Sequence, residues 1–186
     1  MFMSYQTQLP NLWETERLSI AISTVEEVPV LQAIHDACSY LSKWDGSYIY
    51  GDPDYLNTLV TNPPLPPQGG ERERFKILTI RERGTSTIIG FFAVYEGEPP
   101  PDSLYIFTFF VHPDYQGKGY GRETMGSFLN FARETTFNKL TLCTALKNFP
   151  AVRFWTGLGV NKIIKVHGDK VCSENTHAQI DLQMEL

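Results

Sequence analysis

Residues 109–122 read FFVHPDYQGKGYGR, and the way this stretch divides decides the fold. The aromatic run closing at Val111 has the composition of a strand, and Pro113, which cannot donate to a ladder, stops it. Glycines at 117, 119 and 121 then lead into an apolar stripe at helical spacing, Met125, Phe128, Leu129 and Ala132. Glycine admits positive φ and lets a ligand come close to the main chain. Successive N–H groups in such a turn, at the positive end of the following helix, make a nest for an anion. Lys118 and Arg122 add formal charge at the same end, so the segment predicts a phosphorylated ligand. It is not a P-loop, because no G-x-x-x-x-G-K-[ST] occurs, and not a dinucleotide fingerprint, because the glycines run G-x-G-x-G. A glycine turn that merely opens a helix is the plain alternative.

Outward from this segment, strand and helix patterns take turns. Upstream, Leu18, Ile20 and Ile22 alternate as a first strand. Val30, Ile34, Ala37 and Leu41 then recur at helical spacing behind a Thr24/Glu27 capping box, with Pro29 awkward inside. A short helix is expected over 53–61. Apolar runs at 75–80, 88–95 and 104–111 make a meander. Downstream, 140–146 reads as a strand. Ala151, Phe154, Trp155 and Leu158 mark a helix, and strands over 162–166 and 178–186 close the chain. Proline clusters at 62–67 and 99–101 read as loops. The expected order is β-α-α-β-β-β-α-β-α-β-β, an α+β fold with a mixed sheet covered by helices.

With 186 residues, 42% of them hydrophobic, the chain is expected to be one domain, 1–186, able to bury a core without staples. The 16 Lys+Arg against 21 Asp+Glu, net −5, argue against a general nucleic-acid binder. The longest strongly apolar run, 104–111, is far short of the roughly 18 residues of a membrane helix. Cys38, Cys143 and Cys172 lie far apart with no zinc-clip or redox spacing, and none of the four histidines has metal-ligand spacing. No metal is expected, and free thiols at a cytoplasmic address are the simplest reading.

The run Gln116-Gly117-Lys118-Gly119-Tyr120-Gly121, Q-x-x-G-x-G, preceded by Val111-x-Pro113, closely resembles motif A of the GNAT superfamily of acyl-CoA-dependent N-acyltransferases. The stretch Asn148-x-x-Ala151-x-x-Phe154-Trp155-x-x-Leu158-Gly159-Val160 resembles that family's later helix. Glu14-Thr15-Glu16-Arg17-Leu18 looks like the start of the branch holding the ribosomal-protein N-terminal acetyltransferases. The resemblance implies a central, mostly antiparallel sheet of about seven strands flanked by about four helices, with a splayed parallel pair at 104–111 and 140–146. It implies acetyl-CoA as acyl donor, its pyrophosphate held by the loop's amides and its pantetheine arm beside the preceding strand. Phe109, Phe110, Val111, Gln116, Gly117, Lys118, Gly119, Tyr120, Gly121, Arg122 and Asn148 are then the candidate contacts. An acetyl group would pass directly from thioester to the primary amine of a small molecule or a peptide N-terminus, in a monomer or homodimer.

Two features depart from the family. Trp155 stands where many members place a thiolate-protonating Tyr, and an indole N–H donates hydrogen bonds but is no practical acid. No base is obvious: Tyr105, Asp102 and Glu96 are the candidates, each with a solvated strand edge as its alternative. These departures keep open a non-catalytic acyl-CoA-binding sensor or interaction module. On the acceptor side, the aromatics and carboxylates of residues 40–55, with Trp44, Tyr48 and Tyr50 foremost, suit an amine through cation–π contact and charge pairing. Packing of a long loop onto the core accounts for them equally.

Overall fold

Alternation along the strands sends two sets of side chains to the two faces of one sheet. The computed structural model describes residues 7–46, 48, 51–65, 70–98 and 101–186. Its strands are β1 (Leu12–Glu14), β2 (Leu18–Ile22), β3 (Phe75–Glu82), β4 (Ile88–Glu98), β5 (Ser103–Val111), β6 (Lys139–Ala145), β7 (Lys162–Gly168) and β8 (Ala178–Glu185). They lie in the order β1-β2-β3-β4-β5-β6-β8-β7. Among the described residues only β5 and β6 pair in parallel; every other neighbouring pair is antiparallel. Helices α1 (Val28–Ala37), α2 (Tyr55–Thr61), α3 (Tyr120–Ala132) and α4 (Phe149–Thr156) cover the sheet.

The expected α+β class and mixed sheet are therefore present, with eight strands against about seven. The additional strand, β1, is three residues long, too short to carry a period, and exists because Leu12, Trp13 and Glu14 pair with Ala21, Ile20 and Ser19. Pro29 falls in the first turn of α1, where no intrahelical N–H bond is lost. Just before it the Glu27 carboxylate accepts from the Thr24 amide at 3.1 Å, the reciprocal half of the capping box.

Two apolar clusters sandwich the sheet. Phe92 packs with Leu18, Ile20, Val94 and Phe128 beneath α3. Its neighbour Phe91 faces the other way, onto Leu31 and Ile34 of α1, Leu56 of α2, and Phe110. Burial on both faces explains why β4 reads as a continuous apolar run rather than an alternating one. Truncating a fully buried aromatic such as Phe128, 5.4 Å edge-on to Phe92, costs about 3–5 kcal/mol.

One irregularity shapes the centre of the sheet. The register of β5 against β4 slips between Ala93 and Val94, so that Phe107 is skipped in the pairing and forms a bulge. The parallel pairing of β5 with β6 runs from Ser103/Lys139 to Ile106/Leu142 and stops there. A bulge inserts one residue, bends its strand and re-aims the residues beyond it. Past Ile106 the two strands part. No helix among the described residues is long and apolar enough to cross a membrane, and the three cysteines are free thiols.

Candidate active site

The loop after β5 is shaped by a single turn of 3-10 helix, Pro113–Tyr115, whose first amide is capped by His112 Nδ1 at 3.3 Å. His112 is thus a turn residue. Gly117 and Gly119 then take φ of +73° and +87°, a region that costs an L-residue roughly 1–2 kcal/mol. Gly119 caps α3, and the first amide of that segment to find a carbonyl is Glu123, bonded to Gly119 at 3.0 Å. Among the described residues, the amides of 117–122 donate to no protein acceptor. Six adjacent donors at a helix N-terminus are an anion cradle in the physical sense.

Side chains from elsewhere hold this loop. Gln116 Nε2 donates to the Val111 carbonyl at 2.8 Å and also meets the Tyr40 hydroxyl at 3.0 Å, tying the loop to the end of β5 and to the segment after α1. Arg17 reaches across from before β2. It pairs with Glu123 at 2.6 Å, donates to the Lys118 carbonyl at 3.1 Å, and lies 4.4 Å over the Tyr120 ring. Hydrogen bonds and the Arg17 charge hold the Glu123 carboxyl below its ordinary range. Tyr120 itself is turned inward, its hydroxyl bonded to Glu82.

A groove of about 400 Å³ runs between this loop, β5 and α4. Phe109, Phe110, Val111, Gln116, Gly117, Gly119, Gly121, Arg122 and Asn148 all line it, so most of the expected contacts come together. Lys118 and Tyr120 stand beside it, Lys118 with its ammonium 5.5 Å over the Tyr115 ring. Asn148 also caps α4, its Oδ1 accepting from the Ala151 amide at 3.2 Å. Trp155 is buried in the core against Phe109 and Phe154 and presents one edge to the groove.

The antiparallel ladder refines which amides face the groove. His112 donates to the Ile89 carbonyl, which makes Gly90/Val111 a non-hydrogen-bonded pair and Phe91/Phe110 a bonded one. The Phe110 amide thus belongs to β4, while those of Phe109 and Val111 look to the edge that β6 has left. Gly90 permits this approach, since a Cβ there would sit 2.4 Å from the Phe110 carbonyl oxygen.

A second cavity of about 680 Å³ opens on the other side of Phe110, between the residues after α1, α2 and the parted ends of β5 and β6. Tyr48, Asp45, Asp52, Tyr55, Tyr105 and Thr108 line it. His35, 1% exposed, forms part of its wall, stacked on Tyr48 at 4.8 Å and close to Tyr55 at 4.7 Å and Phe110 at 5.2 Å. Burial lowers the His35 pKa, partly offset by Asp36, so the ring is neutral near pH 7. Burial raises the Tyr48 pKa, keeping the hydroxyl protonated and able to donate to the His35 carbonyl.

The candidates for base and acceptor contacts separate here. Tyr105 and Tyr48 line the wide cavity. Glu96 lines neither: fully buried, it accepts from the Gln8 amide at 2.9 Å and pairs with Lys76 at 3.7 Å, pinning the N-terminal segment. Asp102, at the foot of β5, pairs with Lys139 at 3.0 Å, and that bond lowers its pKa. Trp44 packs edge-on to Tyr40, outside both cavities. Tyr50 lies outside the described residues. Sequence reasoning passed over His35, which falls on the same helical stripe as Leu31, Ile34 and Cys38, and over Arg17 as the clamp of the loop. It also missed Cys143 and Gln179, which only strand pairing brings to the cavity wall.

The model of the acetyltransferase (GNAT) family matches residues 36–160, two thirds of the sequence, and the chain belongs to that family. No curated protein matches the chain. Among solved structures, the ribosomal-protein-alanine N-acetyltransferase from Brucella melitensis is similar, with 17% identity, a TM-score of 0.66, and coverage of 90% of this chain and 99% of that one. So is the spermidine/spermine N-acetyltransferase SpeG from Vibrio cholerae, with 13% identity, a TM-score of 0.64, and coverage of 91% and 92%. A GNAT-family acetyltransferase from Bacillus anthracis aligns at 15% identity and a TM-score of 0.70, over 94% and 98%. At these identities the likeness is one of fold.

Proposed function

We propose that the protein transfers an acetyl group from acetyl-CoA to a primary amine, borne by a small molecule or by a protein N-terminus. The observation that carries this reading is the meeting of two unlike cavities at Phe110, where β5 and β6 part. One is rimmed by unbonded amides and the Arg122 guanidinium, which suits a diphosphate. The other is lined by Asp45, Asp52, Tyr48 and Tyr55, which suits an ammonium group.

In this reading the amides of 117–122 hold the pyrophosphate, and the freed edge of β5 at Val111 pairs with the pantetheine arm. That brings the thioester to the gap. The Phe109 N–H, turned to the same freed edge and farther from the loop than Val111, is the donor placed to stabilise the oxygen as negative charge develops on it, an oxyanion-type contribution. The acceptor must be neutral to attack. An α-amine, with an ordinary pKa of about 7.7–8.0, is substantially so near neutrality, whereas an alkylamine must first lose a proton. Tyr105 is the candidate base within the acceptor cavity, acting directly or through solvent. The departing thiolate needs no strong acid, since an ordinary thiol pKa near 8.5 lets solvent protonate it. Most of the acceleration then comes from holding the two reactants together.

The test is turnover with acetyl-CoA and a panel of polyamines, arylalkylamines and N-terminal peptides, followed by release of free thiol. Acetylation of one class supports the reading. Saturable coenzyme A binding with no transfer to any acceptor overturns it in favour of a non-catalytic acyl-CoA-binding module.

A further inference from the structure

Three side chains that sequence spacing keeps 14 to 38 positions apart converge at the wall of the wide cavity. Cys143 on β6 stands directly opposite Asp181 on β8, and His167 on β7 stands opposite Gln179, two residues from Asp181 on the same face. His167 reaches that face because of a register slip between Ile163 and Lys165. Without the extra residue, Val166 would oppose Gln179 and His167 would turn to the other side. Cys143 Sγ lies 3.8 Å from His167 Nε2, which lies 3.0 Å from Asp181 Oδ1, and all three donor atoms fall within 4.8 Å of one another.

The arrangement is not a nucleophile relay. A relay uses the two imidazole nitrogens in series, one toward the nucleophile and one toward the carboxylate. Here thiol and carboxylate both converge on Nε2. Burial, reinforced by Asp181, also pushes the Cys143 thiol up to about 12, which leaves it a poor nucleophile. Convergence on a single point is instead the geometry of ligands around a shared cation. At usual zinc distances, two tetrahedral ligand atoms sit roughly 3.3–3.6 Å apart, and the observed 3.0 and 3.8 Å bracket that span. Thiolate with imidazole and carboxylate favours zinc over magnesium or calcium. All three residues are half-buried, and Cys143 forms part of the wall of the 680 Å³ cavity, so an ion has a path in. Asp45 contributes a second negative charge nearby and Lys165 a positive one.

We infer that Cys143, His167 and Asp181 form a binding site for a thiophilic divalent cation, zinc foremost, in the wall of the wide cavity. On binding, the Cys143 S–H proton passes to solvent and the sulfur coordinates as thiolate, with solvent from the cavity completing the shell. The inference stands independently of acetyl transfer.

Chelator-stripped protein titrated with Co²⁺ tests it. One equivalent is expected to bind with a thiolate-to-cobalt charge-transfer absorption that Zn²⁺ abolishes by displacement. Cys143→Ser removes the band, and His167→Gln and Asp181→Asn each weaken Co²⁺ affinity by about tenfold or more. Absence of saturable uptake at micromolar metal overturns the proposal, as does an undiminished band in folded Cys143→Ser, which would assign the thiolate to Cys38 or Cys172. Should Cys143→Ser lose its cooperative melt, the other two variants decide: unchanged affinity in both refutes the site.

Discussion

The groove under the glycine loop and the cavity beyond Phe110 share a wall but are built on different principles. The groove is made chiefly of main chain. Its donors are amides, and its shape depends on two glycines with positive φ and on the Arg17 and Gln116 side chains that pin the loop. The cavity is made of side chains from α1, α2, the residues between them and three strands, with aromatics and carboxylates interleaved. A backbone cradle recognises what a whole class of ligands has in common, while a wall of side chains discriminates among members of a class. The contrast predicts that damage to one compartment leaves the binding constant of the other intact.

The largest effect is expected from Gly119→Glu. It combines about 1–2 kcal/mol of left-handed strain, a Cβ 3.2 Å from the Arg17 guanidinium, and a carboxylate against a phosphate, which costs several kcal/mol. Acetyl-CoA affinity should fall on the order of 1,000-fold by calorimetry, with acceptor binding spared; near-native affinity in a folded variant breaks the contrast. Next, Tyr105→Phe should lower kcat roughly 100-fold, flatten the pH–rate profile, and leave acetyl-CoA binding unchanged. An unaltered rate and profile would remove Tyr105 from the chemistry. Asp52→Asn keeps the oxygen that accepts from the Asp54 amide at 2.9 Å, so the fold should hold. The KM of a cationic acceptor should rise roughly tenfold at constant donor KM, and an equal rise in both would refute the division of labour.

The smallest effect concerns His35. Its folded-state pKa is lowered below the ordinary 6.5 by burial, so below that value the unfolded chain binds the proton more readily. Stability contributed by the neutral ring is present above pH 6.5 and lost as pH falls beneath it. The melting temperature should decline from pH 7 toward 5.5, before the carboxylates titrate, and His35→Gln should flatten that segment of the curve.

Legibility followed the same division. The glycine loop could be read because its shape lies in φ angles and unbonded amides, which residue type and local spacing encode. The strands of the meander were legible for a like reason, their length and apolar composition being local. β1 was not, since three residues carry no period and its existence depends on β2. Glu96 resembled a base in sequence because nothing local reveals that Lys76 and the Gln8 and Leu9 amides surround it. Trp44 and Tyr48 are four residues apart with similar composition around them, yet only Tyr48 faces the cavity. The cluster of Cys143, His167 and Asp181 was invisible because a single slipped residue in β7 creates it.

The narrow parallel contact between β5 and β6 has a mechanical consequence. Just four residue pairs join the five-stranded half of the sheet to the three-stranded half. A molecule lying in the cleft and pairing with Phe109 and Val111 lengthens that seam as a short guest strand. Ligation should therefore slow amide exchange in β6 and β8 as well as in the loop.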